Sequence, residues 1–280
     1  MNDEINDEIV EHYQSPVKPV ELSKDHKFSF RCHPEVACFN ACCKNIDIQL
    51  TPYDIYQLKN HLGISSAEFL AQYTVPFEMD SHGMPGVKLR HVSDENPACH
   101  FVRDEGCSVY TMRPTACRYY PVGLLSIRKE GSPTDADSFF MVKEAHCLGH
   151  NEANELSIEQ YRIEQGVTEY DDINREWRQI VLKKRSAGPA IGKPSVRSYQ
   201  LFFLASYNLD SFGHFVQSKG FKDTYLLPTE TYAQMETDQL ALLKFAFRFL
   251  KQVLFGEMTI PLNPEAESKR SQRIQSTNAE

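Results

Sequence analysis

F-R-C-H-P-E-V-A-C-F-N-A-C-C, residues Phe30 to Cys43, places four thiols in twelve residues: Cys32, Cys38, Cys42 and the adjacent Cys43. Four more cysteines follow at Cys99, Cys107, Cys117 and Cys147, and the sequence has no others. Thiolates are soft, anionic ligands that suit zinc, iron or an iron–sulfur cluster. Eight of them could furnish two four-thiolate sites, or one site with structural spares. A disulfide framework or inert buried thiols are the competing readings. Cysteine clustering and the lack of a secretion signal favour metal.

At 280 residues, the chain is long enough for about two modest domains with cores of their own. Its 41% hydrophobic and 24% charged content is that of an ordinary globular protein, which needs no disulfides for stability. The first residues, M-N-D-E-I-N-D-E-I-V-E, are acidic where a signal peptide would be basic and then apolar. No apolar run approaches the roughly 20 residues that span a membrane. Together with Met1, these features predict a cytoplasmic protein with reduced thiols.

The net charge is −8. Residues 1–150 carry 14 Lys and Arg against 21 Asp and Glu, and the remainder 16 against 17. Neither half has the basic excess that nucleic acid demands. Lys183-Lys184-Arg185 is the one basic run and reads as a solvated helix end.

Residues 1–27 read as a short helix or loose arm, interrupted at Pro16 and Pro19. Phe28 to Arg31 alternates as a short strand, and Ile46 to Leu50 alternates as another. Thr51-Pro52 starts a helix with Asp54 in the capping-box place, an apolar stripe of Ile55, Leu58 and Leu62, and Gly63 as its stop. Ser65 with Glu68 opens a second helix through about Ala71. Residues 76–98 are turn-rich, with a strand over Val87–Val92. Phe101-Val102 and Ser108–Tyr110 form a hairpin across Asp104-Glu105-Gly106 that could aim Cys99 and Cys107 at one ion. A further hairpin pairs Val122–Arg128 with Phe139–Lys143 across Gly131-Ser132-Pro133.

After Cys147 the composition turns helical. Helices are predicted from Ser157, over Glu169–Lys184, Ser198–Tyr207 and Ser211–Gln217, with a loop at Ser186–Pro194. A helix over about 237–255 carries Leu240, Leu243, Phe247, Leu250 and Leu254 on one face, and Gly256 stops it. From Pro261 the chain is polar.

The cysteine gaps are C-x5-C-x3-C-C, then C-x7-C-x9-C, with Cys147 thirty positions on. None is the C-x2-C of a zinc ribbon or finger. The C-x3-C-x2-C of radical enzymes fails at Asn45. In an extended backbone Cys42 and Cys43 would point to opposite sides, serving different sites, or one site through a turn.

C-F-N-A-C-C followed by L-T-P-Y-D, G-C-S-V-Y-T-M-R-P-T-A-C-R-Y-Y-P and the total of eight cysteines resemble the YkgJ-type cysteine-cluster family, described as zinc- or iron-chelating domains. The resemblance covers roughly residues 28–150. The family's simplest motif is C-x2-C-x2-C-C, with wider gaps here. The resemblance implies that Cys32, Cys38, Cys42, Cys43, Cys99, Cys107, Cys117 and Cys147 bind metal. Some relatives are labelled flagellin lysine methylases, which implies an enzyme with a metal-supported substrate cleft as the alternative.

Four thiolates on a divalent ion leave a formal charge of about −2, costly to bury without compensation. Arg113 and Arg118 bracket Cys117 and are predicted to donate hydrogen bonds to sulfur from outside the ligand set. Pro114 and Pro121 would stiffen the loop that presents this thiol. His33, His100, His146 and His150 lie next to cysteines and could each replace a thiolate, though surface roles are commoner. Glu78, Asp80 and His82 read as a solvated cluster, and Asp210 and His214 lack a motif. There is no P-loop, G-x-G-x-x-G, G-x-S-x-G or H-E-x-x-H signature.

The expected fold is α+β: a 1–27 arm, a 28–150 cysteine-cluster domain of short strands and helices, a 151–260 helical region, and a 261–280 disordered tail. The expected function is metal binding, structural or redox, with zinc, iron or an iron–sulfur cluster as cofactor and no nucleic-acid or membrane partner.

Overall fold

Helix caps fix most of the element boundaries in the structure, a computed structural model. It describes residues 20–268 except 45, 94, 96, 128–135 and 187–193. The predicted loops at Gly131-Ser132-Pro133 and within Ser186–Pro194 fall largely on residues outside that set, as do most of the arm and residues 269–280. The strands are β1 (Lys27–Ser29), β2 (Thr74–Glu78), β3 (Pro85–Leu89), β4 (Val102–Arg103), β5 (Gly106–Cys107), β6 (Val122–Ile127), β7 (Ala136–Met141) and β8 (Glu155–Ser157). The helices are α1 (Pro52–Leu62), α2 (Ser66–Tyr73), α3 (Thr115–Tyr119), α4 (Ile158–Glu164), α5 (Val167–Ser186), α6 (Val196–Tyr207), α7 (Leu209–Gln217), α8 (Lys219–Thr224), α9 (Thr229–Thr237) and α10 (Gln239–Phe255). The fold is α+β, with small antiparallel strand pairs and a helical C-terminal region.

The chain divides into two compact units, and the division is discontinuous. One unit takes the residues through Ile46 together with His91–Glu169; the other takes Asp47–Arg90 together with the chain from Tyr170 on. The units thus cut across the sequence-based boundary near residue 150. Asp47–Arg90 clusters with the helices because its contacts are long-range: Ser66 hydrogen-bonds to Asp210, and Tyr53 N donates to Asn174.

In the first unit, β1 pairs with β8 (Phe28 opposite Leu156) and β6 with β7 (Val122 opposite Met141), both antiparallel. Their inward faces meet α3 and α4 in a core built from Phe30, Tyr119, Val122, Phe139, Leu156, Ile158 and Tyr161. The end of the arm is tied down by Leu22, which exchanges main-chain hydrogen bonds with Phe139. Ser157 caps α4 through a capping box with Gln160. The Tyr120–Pro121 peptide is cis, and Tyr161 Oη donates to the Tyr120 carbonyl.

The second unit opens with the two predicted capping boxes, Thr51 with Asp54 and Ser65 with Glu68, and Gly63 ends α1 at φ +68°. Ile46–Leu50 departs from the expected strand. It is extended and buries Ile48 and Leu50, but makes only an isolated bridge from Gln49 to Lys88. The bridge uses the edge of β3 away from β2: Leu50 N donates to the Val87 carbonyl at 3.0 Å and Leu89 N to the Ile48 carbonyl at 2.9 Å, while β2 holds the other edge with Val75 opposite Lys88. Trp177 stacks on Phe202 at a centroid separation of 6.5 Å, Tyr207 meets both rings edge-on at 6.3 and 6.1 Å, and Trp177 Nε1 donates to Ser206 Oγ. Helix α10 buries Leu243, Phe247 and Leu250 of the expected stripe, leaves Leu240 and Leu254 half-buried, and adds Leu242, Phe245, Ala246 and Phe249, because α6, α7 and α9 all pack on it. Gly256 stops it at φ +69°.

Two local expectations change. Lys184 is buried rather than solvated, while neighbouring Lys183 pairs with Glu257 at 2.6 Å. Pro261–Asn263 is hydrogen-bonded to Thr224–Leu226 and is not a loose end.

Candidate metal centre

All eight cysteines lie in the first unit and are free thiols. The detour through residues 47–90, between Cys43 and Cys99, leaves that unit and returns to it. Its two ends are held side by side: Cys99 N donates to the Cys43 carbonyl at 2.9 Å, Lys44 bridges Ala98, and His91 bonds to the Ile46 carbonyl at 3.0 Å.

Local backbone chemistry sets each thiol. Cys42 and Cys43 occupy a 3-10 turn, Ala41–Cys43, entered through Asn40 at φ +66°, a left-handed conformation that asparagine tolerates. The Asn40 side chain donates to the Arg103 carbonyl at 3.0 Å, fastening this turn to the β4–β5 hairpin. Gly106 is required in that hairpin at φ +127°, and a Cβ there would meet the Phe39 ring at 3.2 Å. Cys107 opens β5, and Cys117 sits in α3. Cys147 precedes a 3-10 turn, and the next amide, Leu148 N, donates to Cys38 Sγ at 3.2 Å. Phe101 N donates to Cys99 Sγ at 3.5 Å. Main-chain N–H groups aimed at sulfur favour the thiolate form.

Electrostatics shows which thiols are neighbours. Burial, then the charges of Cys42, Cys38 and Cys147, pushes the Cys32 thiol up to about 11. Cys42 is pushed far above the ordinary thiol range, by a side-chain hydrogen bond with Cys43 first, then burial, the Cys43 charge and Glu144. Cys99 is raised by burial and by Cys107, against the hydrogen bond from Phe101. Cys107 is raised by burial and by Cys42, while Arg113 favours its thiolate. The Cys117 charge bears on Arg113. Cys32 is thus a neighbour of Cys38, Cys42 and Cys147, Cys42 of Cys43 and Cys107, and Cys107 of Cys99. The thiol–thiol repulsions among these effects resist forming a second thiolate beside the first, and a cation would offset them.

Among the described residues, no three Cys, His, Asp or Glu side chains already stand in the geometry of a metal site. The thiols are neighbours rather than a closed shell. The donor set still fits a soft or borderline ion: free thiols in one unit, half-buried except the exposed Cys32, with amide donors on two sulfurs.

Arg118 is buried and donates to three main-chain carbonyls, those of Arg113, Gln165 and Thr111. Arg113 donates to the Tyr110 carbonyl at 2.8 Å and to Gln165 Oε1 at 2.6 Å, and lies 4.0 Å from the Tyr110 ring centroid. Its influence on Cys107 and Cys117 is that of a nearby positive charge. The guanidinium geometry of both serves to tie the loop carrying Cys117 to the end of α4.

Of the histidines, His33 pairs with Glu152 at 3.2 Å and His146 with Glu144 at 3.6 Å. His150 bonds to the Val142 carbonyl and lines a cleft of about 500 Å³ with Phe28, Met141 and Lys143, a cleft with no cysteine among its described lining residues. His100 offers its carbonyl to Arg103. Glu78, Asp80, His82, Asp210 and His214 belong to the other unit. Sequence reasoning missed Glu144 and Tyr120. The Tyr120 hydroxyl donates to Glu144 Oε2 at 2.8 Å. The available signals were E-x2-C at Glu144–Cys147 and the tyrosines of R-Y-Y-P.

A family model described as "CxxCxxCC: Putative zinc- or iron-chelating domain" matches residues 31–148, from the residue before Cys32 to the residue after Cys147. No curated protein and no solved structure matches the chain. Among the described residues, no helix is long and apolar enough to cross a membrane. Residues 31–148 therefore carry the signature of a zinc- or iron-chelating domain.

Proposed function

We propose that this protein holds zinc, iron or an iron–sulfur cluster on thiolates drawn from Cys32, Cys38, Cys42, Cys43, Cys99, Cys107, Cys117 and Cys147. The observation that carries the reading is the gathering of all eight into one compact unit, although residues 47–90 interrupt them. Sequence proximity cannot explain that gathering, since Cys32 and Cys147 lie at opposite ends of the set and yet interact. A closed shell before loading is not required, because metal binding and local folding are one equilibrium, on the order of 10 kcal/mol for structural zinc. The role is structural for zinc and electron-carrying for a cluster. The reduced thiols suit a cytoplasmic protein, and the acidic charge balance suits one that works without nucleic acid.

The test is anaerobic purification of the full chain, with metal analysis and an absorption spectrum. Zinc or iron above half an equivalent per chain is the expected result. Cys42→Ser and Cys117→Ser should each lower metal content and thermal stability, and His214→Ala should change neither. Full metal retention in both serine variants would refute the assignment, as would a wild-type protein that takes up neither metal when reduced.

A further inference from the structure

We infer that the cleft beside β1 and the end of β7 is a binding site for a small amphipathic carboxylate, an alkyl or aryl acid whose head meets Lys143 and whose tail lies on Leu22, Phe28 and Met141. The site is separate from the thiols, since no cysteine is among the described residues that line it.

Three stretches of the first unit supply the walls. The end of the arm contributes Val20 and Leu22, β1 contributes Phe28, and the chain leaving β7 contributes Met141 and Lys143. Main-chain hydrogen bonds hold these stretches in place without a ligand. Leu22 N donates to the Phe139 carbonyl at 2.7 Å, Ile158 N to the His26 carbonyl at 3.0 Å, and Val142 N to the Pro121 carbonyl at 2.8 Å. The space enclosed is about 500 Å³, within the range of roughly 300–1,000 Å³ that accepts a small molecule.

The lining has two chemistries. Met141 is buried and Leu22 and Phe28 are half-buried, so the floor is apolar. Lys143 lies two positions beyond Met141 on the same face of the chain, exposed where Met141 is buried. The titratable side chains of the described lining are all basic: His26, Lys27, Lys143 and His150. A concavity without a carboxylate, in a chain of net charge −8, selects for an anion. Two of the four are already engaged, Lys27 with Glu155 at 3.2 Å and His150 Nε2 with the Val142 carbonyl at 3.1 Å. Among the described residues, Lys143 Nζ makes no hydrogen bond or ion pair, which leaves it for a ligand. No arginine is among the described lining residues, and a single free ammonium over an apolar floor suits a monoanion with an apolar body better than a phosphate.

The test is equilibrium dialysis of radiolabelled octanoate against the full-length chain, with octanol and inorganic phosphate as competitors. Saturable binding of one octanoate per chain is expected, with a dissociation constant below about 1 mM. Octanol should compete at least about ten-fold more weakly, because it cannot form the charge-assisted bond, and phosphate should not compete. Lys143→Gln should weaken octanoate by roughly ten-fold or more, and Lys143→Arg should restore it. Val20→Asp, at a rim residue 57% exposed, should also weaken it by placing a like charge at the mouth. Both positions are exposed, so far-ultraviolet circular dichroism should match wild type. Absence of saturable binding, octanol competing as well as octanoate, or affinity unchanged in both Lys143→Gln and Val20→Asp would overturn the inference. So would binding that appears only after residues 1–19 are deleted. None of these outcomes bears on the metal-binding reading, which the metal content of the same preparation tests separately.

Discussion

Asp210 and Lys59 allow one prediction to be worked through in numbers. Asp210 accepts from Ser66 N at 2.6 Å, Ser66 Oγ at 2.9 Å, Lys59 Nζ at 3.1 Å and Gln239 Nε2 at 3.2 Å. The two charged side chains are sheltered unequally: Lys59 is 3% exposed and Asp210 27%. Removal of either partner should therefore have unequal effects. Asp210→Ala strands a buried ammonium and should cost about 3–5 kcal/mol. Lys59→Met removes the buried charge, fills its space, and leaves Asp210 with three donors and some water, so it should cost less than about 1.5 kcal/mol. The double variant should recover most of the loss, because the stranded charge is gone. Urea melts of the four proteins give the cycle, and thermal midpoints should separate Asp210→Ala from wild type by on the order of 10 °C. Equal losses for the two single variants, or a double variant no better than Asp210→Ala, would refute the reasoning that Lys59 burial sets the energy.

The same carboxylate predicts a pH dependence. Burial acts to raise Asp210, but the Ser66 amide and hydroxyl and the Lys59 ammonium outweigh it and hold it below the usual carboxylate range. Its contribution is present above the unfolded value of about 3.9 and is lost as pH falls through the folded value; an acid limb unchanged in Asp210→Asn would contradict this. Cys32 acts in the opposite direction in metal-free protein. Raised from 9.0 to about 11, it contributes stability below about pH 9 that is lost as pH rises towards 11, so Cys32→Ser should flatten the alkaline limb of a urea-midpoint series. Gly149→Ala would bring a Cβ to 2.7 Å from the Phe30 ring and 3.0 Å from the Arg31 carbonyl, a backbone atom that cannot swing aside. It should cost about 1–3 kcal/mol by overpacking, and melts equal to wild type would show that the turn after Cys147 can yield.

What could be read from the sequence was what local chemistry decides. The capping boxes at Thr51 and Ser65, the helix start at Ser157 and the stops at Gly63 and Gly256 rest on short-range hydrogen bonds, and they stand where the residues put them. Strand β2 was illegible because Pro76 and its neighbours read as turn, yet Pro76 sits opposite Val87 in a ladder made by long-range pairing. The same limit hid the allegiance of Asp47–Arg90, which is settled by Ser66 and Asp210, 144 positions apart. At the thiols, spacing nominated the eight candidates but could not say which are neighbours. That depended on Asn40 reaching Arg103 and Leu148 reaching Cys38. The pull of Arg118 towards carbonyls was equally invisible, since arginine beside cysteine satisfies either role.

The fastening of Cys43 to Cys99 across residues 47–90 also orders events in time. Neither unit can be finished from a contiguous stretch of nascent chain. Cys32, Cys38, Cys42 and Cys43 leave the ribosome about a hundred residues ahead of Cys147, an interval on the order of 5–20 s at ordinary synthesis rates. For about the first half of that interval the first four thiols have no partners from the second group and no hairpin beneath Asn40, and Cys147 comes last. An ion or oxidant met early would encounter half a site, with adjacent Cys42 and Cys43 as its most accessible pair of sulfurs. On the metal-binding function proposed above, correct loading is then a matter of keeping those thiols reduced and unclaimed until Cys147 arrives.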